Sequence, residues 1–215
     1  MDWASPFHLY CERADASFWA EPVNALTNVA FLIAAAAALV AWQTSKRDPF
    51  ALVLIGLTFL VGLGSFAFHT LATRGAVLLD VIPIALFVYA YFLFALRRFV
   101  HFSWTPALAV LGAFIVASQA LEFGLPAGFL NGSGPYLAPL AALLAIGWLM
   151  KGGDQRRGIL AAAAIFAVSL SFRTVDRMLC GAFPLGTHFI WHLLNAVALY
   201  LLLRTAIRAP AHIPS

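Results

Sequence analysis

A chain of 215 residues that is 63% hydrophobic, only 10% charged and +0.91 in mean hydropathy carries more apolar surface than a water-soluble domain of that length can hide. Lipid is the solvent it implies. The formal excess of four positive charges does not point to nucleic acid, because the basic residues are scattered between apolar runs, as loop anchors are, and form no phosphate-binding face.

From the N-terminus, Asp2 and Glu12 stand ahead of the first apolar run with no basic stretch before it, so no cleavable signal peptide is expected. Seven runs then approach the roughly 20 apolar residues that a helix needs to cross a bilayer. They are Asn24–Trp42, Phe50–Phe68, Val77–Leu96, Pro106–Leu121, Tyr136–Met150, Ile159–Val175 and His188–Leu203. The fifth is short, and the loop before it, from Phe123 to Pro135, is rich in Gly and Pro. Period-two alternation is absent, which argues against a β-barrel. With no internal repeat, linker or second domain, residues 1–215 are expected to form one all-α membrane domain. The expectation is a seven-transmembrane helix bundle, preceded by an extracytoplasmic segment over residues 1–22.

Loop charges orient such a bundle. Lys46, Arg47, Arg97, Arg98, Lys151, Arg156, Arg157, Arg204 and Arg208 fall on one side, against Arg13, Arg74, Arg173 and Arg177 on the other. This places the C-terminus in the cytoplasm and the N-terminus outside. Trp3, Tyr10, Trp19, Trp104 and Trp148 read as interfacial aromatics.

With directions assigned, the polar residues in the spans fall at one depth. Glu21, Asn24 and Asn28 open the first span, His69 ends the second, Asp80 begins the third and Glu122 ends the fourth. Asp176 ends the sixth, and His188 and His192 open the seventh. Ionisable groups at membrane depth are costly, so such a convergence marks function or buried pairing.

His188 and His192 stand one helical turn apart, on one face. Alone, such a pair is read by default as two hydrogen-bonded structural histidines. His69, on another helix at the same depth, completes the three-His set of an open zinc site, which is the preferred reading. HxxxH lacks the glutamate that acts as base in HExxH enzymes, so the carboxylate must come from elsewhere, and Asp80 is the candidate. The competing readings of Asp80 are pairing with Arg74 or a helix-start role. Ser65, one turn before His69, is either an oxyanion donor or a hydroxyl bonded back to its own helix. Glu21, before Pro22, reads as a carboxylate favouring a helix N-terminus, and Asp176, between Arg173 and Arg177, reads as part of an ion-pair cluster. Glu122 and Asn28 gain no role. For Cys11 and Cys180, both on the outer side, a bridge and a pair of free buried thiols are both open.

These residues resemble an ordered pattern in the alkaline ceramidases, part of a wider superfamily of seven-span hydrolases that also contains the adiponectin receptors. The matching pieces are Tyr10-Cys11-Glu12, Phe18-Trp19-Ala20-Glu21-Pro22-Val23-Asn24, Gly64-Ser65 through His69, Asp80, Asp176 with Cys180, and His188 with His192, Leu193 and Asn195. The resemblance covers most of the chain. It implies a zinc-dependent hydrolase cleaving the amide of ceramide, or of a related N-acyl lipid, to a fatty acid and a sphingoid base. His69, His188 and His192 would bind zinc, Asp80 would handle protons, Ser65 would assist the oxyanion, and Cys11 would pair with Cys180. It also implies a calcium site near the N-terminus, to which Glu12 and Glu21 would contribute, although His8 stands where an aspartate is expected. Short loops and Ala-rich spans look like a bacterial branch, with an inner-membrane location and an active site toward the periplasm. The implied partner is a membrane lipid. A receptor or sensor that binds without turnover is the alternative. A haem protein is disfavoured because two axial ligands must approach from opposite faces, and a purely structural bundle leaves the polar cluster unexplained.

Overall fold

The computed structural model describes residues 2–45, 47–126 and 128–209; Lys46, one of the nine basic residues used to orient the bundle, lies outside them. The described residues are mostly helical, with no strand among them. The helices are α1 (Pro22–Thr27), α2 (Val29–Gln43), α3 (Pro49–Leu71), α4 (Arg74–Arg98), α5 (Trp104–Gly124), α6 (Leu137–Leu149), α7 (Gly153–Leu179) and α8 (His188–Ile207). Two short 3₁₀ turns, Phe129–Gly132 and Gly134–Tyr136, lead into α6.

Every expected apolar run is helical, several ends extend a turn further, and two helix starts carry a side-chain cap. Asp48 accepts from the Phe50 N–H at 2.8 Å ahead of Pro49, and Thr73 accepts from the Ala76 N–H at 3.2 Å. Such caps satisfy amides that a helix start leaves without partners. The first run is broken at Asn28 into α1 and α2, which together span 22 residues. Among the described residues six helices, counting α1 with α2, are long and apolar enough to cross a membrane. The fifth run yields only the 13 residues of α6, about 20 Å at 1.5 Å per residue.

Helices α2 to α8 pack in chain order, each against the next, and α8 returns to α2 to close the ring. Helix α6 carries the chain from one end of the ring to the other. The turns before it contact Arg173 near the end of α7, while the Gly147 carbonyl near its own end accepts from Arg156 at the start of α7. Thus the starts of α1, α4 and α8 and the ends of α3 and α7 gather at one end of the bundle.

The opposite end holds the main apolar core, with Leu54, Phe87, Phe94, Ile159 and Leu203 among its buried members. Arg98 pairs there with Asp48, and Tyr91 Oη lies 2.5 Å from Thr205 Oγ1. Trp3, Trp19, Trp104 and Trp148 are exposed, as interfacial aromatics should be, but Tyr10 is buried. The segment before α1 folds across the other end. Phe7 N–H donates to the Ala72 carbonyl at 2.7 Å, and Arg74 N–H donates to the Ser5 carbonyl at 3.1 Å.

Candidate metal centre

His69 lies two residues from the end of α3; His188 opens α8, and His192 follows one turn later. The potential ligand nitrogens of all three buried rings fall within 4.8 Å of one another. Each ring is held. Glu21 Oε2 lies 2.6 Å from His69 Nδ1, and Thr27 Oγ1 lies 3.0 Å from His192 Nδ1. Because the Thr27 hydroxyl donates to its own helix carbonyls, it accepts from His192 Nδ1–H and leaves Nε2 with the lone pair. The His188 ring stacks on Tyr10 with centroids 3.5 Å apart.

His69 Nε2 and His188 Nδ1 are buried without a hydrogen-bond partner. Buried polar atoms are nearly always paired, so orphan nitrogens on two of three clustered rings fit a site built to hold an electrophile. Three imidazoles, one with a carboxylate on its far nitrogen, fit a zinc ion with a position left open for water or substrate.

Ser65 and Asp80 line the same cavity as His188 and His192. Gly64 allows this: a Cβ there would sit 1.8 Å from the Leu79 carbonyl oxygen, so α3 and α4 touch backbone to backbone beside both residues. Pro83 has no N–H to give that carbonyl within α4, which leaves it to face the glycine. Asp80 is the seventh residue of α4 and forms no ion pair with Arg74, so neither a helix-start role nor that pairing accounts for it. The cavity continues along one face of α8, through His188, Trp191, Asn195 and Leu202, and one face of α4, through Asp80, Phe87 and Ala95. The fourteen residue steps from His188 to Leu202 give it a length of about 21 Å, and its walls below the histidines are almost wholly apolar.

A sequence model described as Ceramidase matches residues 8–211. The chain belongs to the ceramidase family. No curated protein matches it.

In this ceramidase-family chain Cys11 and Cys180 are joined as a disulfide, with Cα atoms 5.2 Å apart. Next to it, Asp176 has a different task from the expected ion pair. Its carboxylate accepts from the backbone N–H groups of Thr187 (2.6 Å), His188 (2.9 Å) and Cys11 (3.2 Å). It thereby caps α8 at the turn that carries His188 and His192 and fastens the N-terminal segment. Gly186, at φ +67°, is required there, since a Cβ would lie 2.2 Å from Asp176 Oδ1.

The calcium expectation does not fit these residues. Both oxygens of Glu12 accept backbone N–H groups at the start of α1, from Val23 at 2.7 Å and Asn24 at 2.8 Å. Burial raises the Glu12 pKa while those two bonds pull it down. Glu21, far from a simple helix-end charge, bridges His69 and Arg13, whose Nε lies 2.6 Å from Oε1. Burial pushes the Glu21 carboxyl up, but His69 and Arg13 outweigh it and hold it below its ordinary value. The Arg13 guanidinium also donates to the carbonyls of Asp15, Ser17 and His69. A cation of the protein's own already fills this oxygen-lined space. Among the described residues the histidine triad is the one grouping of three or more His, Cys, Asp or Glu side chains suited to a metal.

Sequence reasoning missed Arg13, Thr27, Tyr10 and Arg173. The arginines read as loop charges and Tyr10 as an interfacial ring; the one available signal was the direct adjacency of Tyr10, Cys11, Glu12 and Arg13. Glu122 is exposed, away from the cavity. Asn28 is buried at the break between α1 and α2, donating to the Asn24 carbonyl at 2.9 Å.

Proposed function

We propose that this protein is a zinc-dependent intramembrane amidohydrolase that cleaves ceramide, or a related N-acyl lipid, to a fatty acid and an amine. The observation that carries the reading is three converging histidine ligands at the head of a long apolar cavity that also presents Asp80 and Ser65.

His69, His188 and His192 would hold the ion, which would supply Lewis acidity to the site. The acyl chain lies along the apolar walls, which sets its carbonyl at the histidine end. Asp80 accepts a proton from the attacking water and returns one to the nitrogen as the C–N bond breaks. Ser65 donates to the carbonyl oxygen as charge grows on it. Glu21 and Thr27 fix the rings of His69 and His192, so little reorganisation accompanies binding.

We further read α6, with the turns before it, as a seventh crossing, because it connects the two ends of the ring despite its length. The cytoplasmic side is the end with the exposed loop arginines. Of the four basic residues counted against that orientation, Arg13 and Arg173 are buried and only Arg74 and Arg177 remain as exposed charges. The site then opens toward the outer, oxidising face, as the disulfide also supports.

Metal analysis of the purified protein combined with a screen of N-acyl lipids tests the function, with about one zinc per chain and release of free fatty acid expected. The Asp80→Asn variant is expected to keep its metal and to lose turnover by roughly 10²–10⁴-fold. Unchanged turnover would remove Asp80 from the mechanism. Saturable lipid binding with no hydrolysis of any long-chain amide would favour a receptor instead.

A further inference from the structure

Arg173, near the end of α7, is only 6% exposed yet lines the cavity together with Asp80, His188 and His192. Its guanidinium donates to the Asn131 carbonyl (3.2 Å), Ser133 Oγ (3.0 Å) and Tyr10 Oη (3.4 Å). None of these acceptors is an anion, a phenol being neutral near pH 7. The rings of Tyr136, Trp191 and Tyr10 surround the charge, with centroids 5.0, 5.7 and 6.0 Å from its central carbon. Asp80 faces the same cavity, but no ion pair joins it to Arg173, whereas Arg13 and Arg98 are each paired with a carboxylate.

A buried charge with no carboxylate in contact is expensive, and neutral acceptors, aromatic faces and the through-space attraction of Asp80 offset only part of that cost. A guanidinium whose direct hydrogen-bond partners are all neutral, beside a ligand cavity, is therefore complementary to an anion that arrives with the ligand. The planar fork matches a carboxylate, and the apolar walls select a long chain attached to it.

We infer that Arg173 is the carboxylate-binding residue of this cavity, anchoring the carboxylate of a long-chain acyl compound beside the histidines. Two sources share that chemistry: the free fatty acid, and an acidic amine portion on the substrate, as in an N-acyl amino acid. The first source rests on the hydrolase reading of the same site; binding of the anion does not.

The test is equilibrium binding to the purified full chain in detergent, comparing palmitate with hexadecanol, with metal bound and after its removal. The native protein should prefer the acid by about tenfold or more in both states, the gain expected of one charged hydrogen-bonded pair. Arg173→Gln should abolish that preference without altering metal content, and Arg173→Lys should keep part of it. An equal preference in native and Arg173→Gln protein overturns the proposal, as does a preference that exists only with metal bound. Should the glutamine variant fail to fold, the lysine variant decides: a reduced preference supports the fork, and an undiminished one overturns it. Initial rates on N-palmitoylglycine and N-palmitoylethanolamine separate the sources. A preference for the acidic amide that vanishes in Arg173→Gln assigns the anchor to the substrate; equal rates assign it to the released acid. Failure of the hydrolase reading appears as no turnover with the binding preference intact.

Discussion

The two ends of the bundle solve opposite problems with the same seven-helix ring. At one end Leu54, Phe87, Phe94, Ile159 and Leu203 interlock, and the Tyr91–Thr205 hydrogen bond lies among apolar side chains. At the other, Glu21, Asn24, His69, Asp176, His188 and His192 are all buried. There the helices meet through a carboxylate on a histidine, a carboxylate on three amides and a disulfide. In lipid, helix association comes from close packing and interhelical hydrogen bonds rather than from a hydrophobic driving force. The apolar end therefore keeps the ring together, while the polar end is assembled from parts that have no stable arrangement without one another. Packing and chemistry are therefore divided between opposite ends of the bundle axis.

The largest effect should come from removing a ligand. His188→Ala is expected to abolish stoichiometric metal binding, seen by elemental analysis, and to lower hydrolysis on the order of a thousandfold, since several kcal/mol of electrophilic stabilisation disappear. Helical content by circular dichroism should stay native, because the packed end is untouched. Loss of helix in step with loss of metal would show that the two ends are not separable.

Second in size is Gly64→Ala, which attacks the junction between the ends. A methyl group 1.8 Å from the Leu79 oxygen forces α3 and α4 apart. We expect about 1–3 kcal/mol of destabilisation in a denaturation titration, with activity falling more than metal content because Ser65 and Asp80 move relative to each other. A variant as active as the native protein would show that their spacing does not matter.

The two ends were unequally legible in sequence. The apolar runs forecast every helix, because hydropathy over 15 to 25 residues follows directly from the lipid solvent. The three histidines were legible because polar residues in lipid are few and their depth follows from span direction. What escaped was anything carried by the segment before α1. Arg13 and Tyr10 lie outside the spans, where a charge or ring has no forced address, and only the fold of residues 2–21 over the bundle buries them. Asp176 was visible but misjudged. Its sequence neighbours are arginines, yet helical geometry turns Arg177 outward and sends the carboxylate to the amides of Cys11, Thr187 and His188, 165, 11 and 12 residues away. The short α6 was legible as a short run, but the glycines and prolines before it gave no sign of the two 3₁₀ turns that lead into it.

Third is Glu21→Gln, which leaves the ligands in place and alters only what holds one of them. The amide cannot supply a negative charge to His69 and Arg13 together. Metal affinity should fall by about 10–100-fold, measured by competition with a chelator, while thermal stability changes little in the metal-loaded protein. Affinity equal to the native value would mean that packing alone orients His69.

The smallest effect is expected at the opposite end, from Tyr91→Phe. Tyr91 Oη lies 2.5 Å from Thr205 Oγ1, but Thr205 also donates to the Leu202 carbonyl at 2.7 Å. Deleting the phenol hydroxyl therefore orphans nothing, and the ring keeps its packing against Phe87 and Phe94. An interhelical hydrogen bond of this kind is worth about 0.6 kcal/mol in a membrane protein. Reversible unfolding should register a loss of that order, with metal content unchanged. A loss several times larger would mean that the α4–α8 contact depends on polar pairing as the histidine end does, and the contrast between the two ends would be one of degree.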